Sequence, residues 1–188
     1  MRKIIFVYFI IILVSLGFSF YFYPILPEKI ITHWNFEGKA DGYMSKNTGL
    51  FLMPGIIAFL TVLFFIIPEI DPLKENIKKF RKYYDNFILL FILFLFLIHL
   101  QIILWNLGIK ISPNLILSFG FSFLFFYTGI LLEKSKRNWF IGIRTPWTLS
   151  SDNIWERINR IGSKLFKISG FIALTGIFIR NYFLIFIL

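Results

Sequence analysis

Four long runs of this chain carry no Asp, Glu, Lys or Arg: residues 4–23, 49–67, 86–105 and 115–132. Each is long enough to cross a hydrocarbon core of about 30 Å at a rise of about 1.5 Å per residue, with tilt absorbing the remainder. Lipid offers the backbone no hydrogen-bond partner, so a spanning segment must satisfy its own N–H and C=O groups, which a helix does. A water-soluble fold of 188 residues could not hide 26 Phe while only 16% of its residues are charged and those fall in blocks. The expected fold is therefore all-α, a polytopic transmembrane bundle forming a single membrane domain over 1–188. A fifth span is expected over 166–188, as one helix with Arg180 snorkelling near its outer end. The first run follows Arg2 and Lys3 like a signal peptide. The stretch after it lacks a small-residue cleavage site, so it reads as an uncleaved helix.

The 20 Lys and Arg set the orientation. Arg2 and Lys3 precede the first span. Lys74, Lys78, Lys79, Arg81 and Lys82 lie in the loop 68–85, and eight more lie in 133–165 and its junction. Loop 24–48 holds only Lys29, Lys39 and Lys46, and the next loop only Lys110. By the positive-inside rule the N-terminus is cytoplasmic, 24–48 is an outer loop, and 68–85 and 133–165 are inner loops. The net charge of +10 then belongs to topology and anionic headgroups, and no direct nucleic-acid partner is expected. With no Cys, disulfide and thiolate chemistry is excluded.

In the outer loop, Pro27 holds an extended stretch, and Gly38 and Asp41-Gly42 are turn signals. His33, Trp34 and Asn35 between them would present an aromatic ring and two hydrogen-bonding groups to something arriving from outside. The plainer alternative is a compact turn with Trp34 at the headgroup level. In the first inner loop Leu73, Ile77, Phe80 and Tyr84 fall on one face of a short basic amphipathic helix, to lie on anionic lipid or to dock a cytoplasmic partner.

The second inner loop is the richest. Asn138, Trp139, Gly142, Arg144, Thr145, Pro146, Trp147, Ser150 and Trp155 are its candidate residues. Pro146 bars a helix through Thr145, Ser150 or Ser151 suits an N-cap, and Asp152 suits a first helical turn. A second amphipathic helix follows, with Ile154, Ile158, Ile161 and Leu165 on one face and Arg157, Arg160 and Lys164 off it. Arg144 among tryptophans could make a cation–π or phosphate contact. Inside the spans the polar residues are few: His99 and Gln101, with Asn106 at the exit. Since no span holds a carboxylate, a bonding role across helices is the simpler reading of His99 than a proton relay.

Leu26-Pro27-Glu28, Thr32-His33-Trp34-Asn35, Gly38 and Asp41-Gly42-Tyr43 resemble the domain of unknown function near the N-terminus of SdpI-family proteins. The stretch Asn138 to Ser151, with Trp155, resembles that family's other signature, and Asp71-Pro72 and Lys74-Glu75-Asn76 also fit. One departure is that Ile158-Asn159-Arg160 stands where the family has a Thr-His-Arg-like triplet. Another is that members usually have six spans. The resemblance implies a multi-pass cell-membrane protein that is not an enzyme and has no cofactor. It implies immunity to a secreted, membrane-active peptide toxin outside and, in a signalling version, a transcriptional repressor held inside. Two other readings stay open: a small transporter or lipid-handling enzyme using Arg137 and Arg144, and a structural membrane subunit.

Overall fold

The computed structural model describes residues 3–178. Its elements run α1 (Lys3–Phe22), β1 (Lys29–Trp34), β2 (Ala40–Ser45), α2 (Lys46–Ile70), α3 (Lys74–Asn106), α4 (Pro113–Lys134), α5 (Pro146–Ser150) and α6 (Asp152–Thr175). Four helices are long and apolar enough to cross a membrane: α1, α2, α3 and α4. Many large apolar side chains on them point outward, Phe9, Phe59 and Phe123 among them, as lipid-facing surfaces require. Helix α6 closes at Thr175, a turn follows to residue 178, and residues 179–188 of the expected fifth span, with Arg180, fall outside the described residues.

The chain alternates between two ends. One end carries the hairpin β1–β2 and the α3–α4 turn. The other carries the α2–α3 turn and the long α4–α6 connection, with most of the basic residues. Each half has its own core. Leu26, Ile30, Leu50, Ile102 and Ile103 pack beneath the hairpin, while Tyr8, Ile57, Phe80, Ile92 and Leu131 belong to the larger cluster toward the basic end.

Helix α2 contains Pro54 and Pro68 in its interior. The helix begins at Lys46, so Pro54 lies beyond its first turn and its missing N–H is felt. A proline leaves the carbonyl four residues before it without its helical donor. For Pro54 that is Leu50, and Ser19 Oγ of α1 donates to Leu50 O at 2.8 Å. For Pro68 it is Phe64, and Tyr84 Oη of α3 donates to Phe64 O at 2.9 Å. Hydroxyls on the neighbouring helices thus satisfy both freed carbonyls, and in doing so fix how α1 and α3 sit on α2.

Of two amphipathic stripes, one ends up buried and the other exposed. No Gly or Pro breaks residues 74–106, so the basic helix of the first inner loop and the third span are one helix, bent at Phe80 (φ −122°, ψ 17°). Its Ile77, Phe80 and Tyr84 face the core and are almost fully buried, so this stripe neither lies on lipid nor forms a docking surface. In α6 the reverse holds. Ile154, Ile161 and Leu165 are exposed, and Trp155, Asn159, Gly162, Ser163 and Gly170 are buried. That small and polar face packs on α4. A Cβ on Gly129 would sit 2.6 Å from Ser163 O, and one on Gly170 2.8 Å from Ser122 O. Close approach of backbones through small residues is how helices associate where there is no hydrophobic drive between them.

Candidate functional site

At the hairpin end, the segment expected as a turn-rich loop is an antiparallel pair, with Lys29 opposite Ser45, Ile31 opposite Tyr43 and His33 opposite Gly42. The β-branched run Ile30-Ile31-Thr32 favours a strand, and Gly38 takes φ +77° at the tip, open to glycine at no steric cost. Asn35 shapes the tip, its Oδ1 accepting from Glu37 N and Lys39 N at 3.0 Å each. Gly42 lets the strands close, since a Cβ there would lie 2.6 Å from His33 Cβ. Pro27 sits in the exposed bend before β1.

The hairpin is held down from below. Asn106 receives Ile31 N at 2.9 Å and donates to Ile31 O at 2.8 Å, acting as a one-residue strand partner. Ile30 is completely buried. Lys46, largely buried, donates to Glu28 Oε1 at 2.9 Å and lies 4.6 Å from the centre of the Tyr23 ring. Trp34 is tucked edge-on against Trp105, ring centres 5.3 Å apart. What remains outward is His33, 71% exposed with Nδ1 2.6 Å from Asp41 Oδ1, together with Phe36 and Tyr43. Glu37 is turned to Lys39 at 2.6 Å. Among the described residues no three His, Cys, Asp or Glu converge as a metal site requires.

Between hairpin, α3 and α4 lies a cavity of about 250 Å³ reached by His33, Trp34, Gln101 and Asn114 and walled by Ile98, Ile116 and Leu117. Asn114 anchors its hairpin side by donating to Phe36 O at 3.0 Å. Gln101 is buried and donates to Ile111 O at 2.7 Å.

His99 and Gln101 are therefore separated in role. His99 is fully buried and its Nε2 lies 3.2 Å from both Ser15 O and Ser19 Oγ. A carbonyl only accepts, so Nε2 carries the proton. The imidazole braces the same Ser19 that serves the proline-freed carbonyl of α2, a contact between helices.

The basic end is a closed knot. Asn138, completely buried, donates to Lys136 O and Ile141 O at 2.8 Å each and accepts from Phe140 N and Ile141 N at 2.9 and 2.6 Å. Asp71, just past α2, accepts from Leu73 N at 2.7 Å and Trp139 N at 2.9 Å, tying two loops together. Gly142 has φ +124°, and a Cβ there would strike Trp155 and Asn159 at 2.8 and 2.9 Å. Trp155 Nε1 donates to Ser135 at 3.3 Å, and Asn159 Oδ1 accepts from Ile143 N at 2.9 Å. Thr145 caps α5 reciprocally with Thr148, and Pro146 occupies the first helical position. Ser150 donates to Trp147 O at 2.8 Å. Ser151 is the N-cap of α6, but without a side-chain cap bond.

The two arginines suggested as a phosphate cradle are both engaged. Arg144 donates to Trp139 O at 2.7 Å. Arg137 donates to Leu149 O at 2.9 Å and its Nε lies 2.7 Å from Asp152 Oδ1, an ion-pair contact rather than an aligned hydrogen bond. Lys136 pairs with Glu156 at 2.6 Å, a hydrogen bond that holds the Glu156 carboxyl below its ordinary range. Trp139 and Trp147 stand out from the knot. Residues that sequence reasoning did not single out as site residues here are Asp71, Asn106, Asn114 and Asn159. Asp71, Asn106 and Asn114 stand at helix ends, where Asp and Asn are common for local reasons, Asn159 lies within α6, and the partners that give them their roles are remote in sequence.

Comparison with known proteins agrees with this division into two motif-bearing ends. The domain of unknown function DUF1648 matches residues 10–58, which include the hairpin. The SdpI/YfhL protein family matches residues 134–188, which include the knot. The immunity protein SdpI of Bacillus subtilis (strain 168) is 30% identical over 178 residues, covering 93% of this chain and 83% of that protein. No solved structure matches the chain. With four apolar spanning helices and a likeness running through nearly its whole length, the chain belongs to the SdpI family and is a multi-pass protein of the cell membrane.

Proposed function

We propose that this protein confers immunity to a secreted, membrane-active peptide toxin, and that the toxin is met at the hairpin end. The observation that carries the reading is the 30% identity to an immunity protein over 93% of the chain. The positive-inside pattern supports placing the hairpin outside, where a secreted peptide arrives. The geometry supports the hairpin as the working face as well: its shape is held by Asn35, Gly42 and Asn106, and His33, Phe36 and Tyr43 are turned outward. A role as a lipid-handling enzyme has less support, because Arg137 and Arg144 are already bonded to backbone carbonyls. Exposed Trp139 and Trp147 on the opposite face are the surface a cytoplasmic repressor would use in a signalling version.

The test is survival of a sensitive bacterium expressing the chain and challenged with membrane-active peptide toxins. Protection is expected from the wild type and is expected to vanish in the variant His33→Ala/Trp34→Ala at matched protein level. Protection unchanged in that variant removes the hairpin from the mechanism. No protection against any such toxin removes the immunity reading.

A further inference from the structure

Helix α6 leaves one side bare. Ile154, Ile161, Leu165, Ile168 and Ile172 are exposed along it. Arg157, Arg160 and Lys164 run down one edge of that stripe, three and four residues apart and so neighbours on the helix surface. With Asn153, Glu156 and Ile161 the three cations line a groove of about 340 Å³. The other charges of this end neutralise one another. Lys136 holds Glu156 at 2.6 Å, Arg137 lies 2.7 Å from Asp152, and Lys167 is turned to Glu133. The one carboxylate in the groove is thus already engaged, and among the described residues Arg157, Arg160 and Lys164 form no ion pair.

The depth of these cations follows from the packing on α4. Gly129 lies against Ser163 and Gly170 against Ser122, equal steps along both helices, so α6 runs antiparallel beside α4. Ser122 is close to the middle of α4, Pro113–Lys134, which is a spanning helix. Gly170 is therefore near the bilayer midplane. From Gly170 back to Arg160 a helix rises about 15 Å, half of a hydrocarbon core of about 30 Å. Arg160 then stands where the phosphates begin, Arg157 stands about a turn beyond, and Lys164 stands about a turn inside, on a stem that can snorkel outward. Lys167, deeper again, already reaches outward in this way to Glu133.

Three unneutralised cations call for a net negative partner. The apolar stripe beside them runs on into the bilayer at Ile168 and Ile172 without a break, so the partner must also carry hydrocarbon. An acidic protein surface matches the first part alone, and a zwitterionic lipid the second. We infer that the bare side of α6 is a docking surface for an anionic phospholipid, its phosphate held by Arg157, Arg160 and Lys164 and an acyl chain lying along Ile161, Leu165 and Ile168. The surface is at the end remote from the hairpin and does not rest on the immunity reading.

The experiment titrates the full chain in neutral maltoside micelles with dioleoyl-phosphatidylglycerol and counts bound copies by native mass spectrometry. The comparison probes are dioleoyl-phosphatidylcholine, inorganic phosphate and polyglutamate. Saturable binding of phosphatidylglycerol is expected, at least about tenfold tighter than of phosphatidylcholine, and at least about tenfold weaker in Arg157→Gln/Arg160→Gln/Lys164→Gln. The charge-matched variant Lys74→Gln/Lys78→Gln/Lys82→Gln, at exposed positions of α3, should bind as the wild type does. No saturable binding, or binding that the α6 variant retains, would remove the surface. Equal weakening in the two variants would reduce it to net charge. Equal affinity for the two lipids would leave an apolar seat without a phosphate site. Displacement of the lipid by equimolar inorganic phosphate would make it a free-anion site, and displacement by polyglutamate a protein surface. Each of these overturns the inference, and the wild-type comparison of probes holds even if the α6 variant does not fold. Lipid binding without protection in the survival assay sinks the immunity reading alone, and protection without lipid binding sinks the docking surface alone.

Discussion

The two ends of this molecule are equally rich in motif residues, yet they use their polar groups in opposite ways. At the basic end Asn138 fills all four of its hydrogen-bonding positions with neighbouring backbone, and Asp71 and Asn159 do likewise for other strands of the loop. At the hairpin end, Asn35 and Asn106 are also consumed, but His33, Phe36 and Tyr43 are left outward. A dense motif therefore marks a place where the chain must be shaped. A place left open to a partner is marked by side chains that shaping does not use.

The comparison breaks most readily at Asn138. Asn138→Leu strips four backbone groups of their partner, two of them in buried hydrogen bonds, and each group orphaned in the interior costs about 1–3 kcal/mol. Loss of folded protein is expected, read as a collapsed monodisperse peak on size exclusion in detergent. Normal yield and melting temperature would show that the knot is not a folding element. For the same reason an alanine at Asn138 cannot serve as a test of inner-face function.

A second test uses the proline of α2. Ser19→Ala leaves Leu50 O without a donor and should cost about 1–3 kcal/mol. In Pro54→Ala that carbonyl regains its helical N–H, so Ser19→Ala on that background should cost much less. The thermal-melt coupling between the two substitutions checks this. Additive losses would mean that Ser19 acts only through Ser15 and His99.

His33→Ala sharpens the contrast from the other side. The side chain is 71% exposed, so stability should change by no more than about 0.5 kcal/mol while survival against toxin falls. A stability loss with protection intact would reverse the assignment of the two ends.

The smallest effect is expected at Lys136–Glu156. Surface pairs contribute roughly 0–1 kcal/mol, so Glu156→Gln should shift the melt by at most a degree or two. Because the Lys136 bond lowers the Glu156 pKa, whatever the pair contributes is present above the ordinary glutamate pKa of 4.5 and is lost as pH falls through the depressed folded value. A melt difference between wild type and Glu156→Gln that grows on acidification would contradict this.

The amphipathic stripes show how far periodicity can be trusted. Leu73-Ile77-Phe80-Tyr84 and Ile154-Ile158-Ile161-Leu165 have matching helical spacing, and both were legible as amphipathic helices. Which side of each would be buried was not. In water the apolar side must turn inward. In lipid it can turn either way, and α6 buries Gly162, Ser163 and Gly170 because they allow α4 to come close. The helix spacing is a local property; the choice of face belongs to the partner.

By itself the sequence determined that the chain lives in the membrane, where its first four spans run and which loops hold its motifs. Charge and apolarity act over a few residues and against a solvent of known thickness, so they can be read without a fold. Only the tertiary structure decided that the loop 24–48 folds as a hairpin clamped by Asn106, that Ser19 and Tyr84 answer the two prolines of α2, and that Trp34 and Gln101 line one cavity. Those pairings join atoms 20 to 75 residues apart, or separate elements outright, and hydrogen bonds at such separation exist only once the helices have packed.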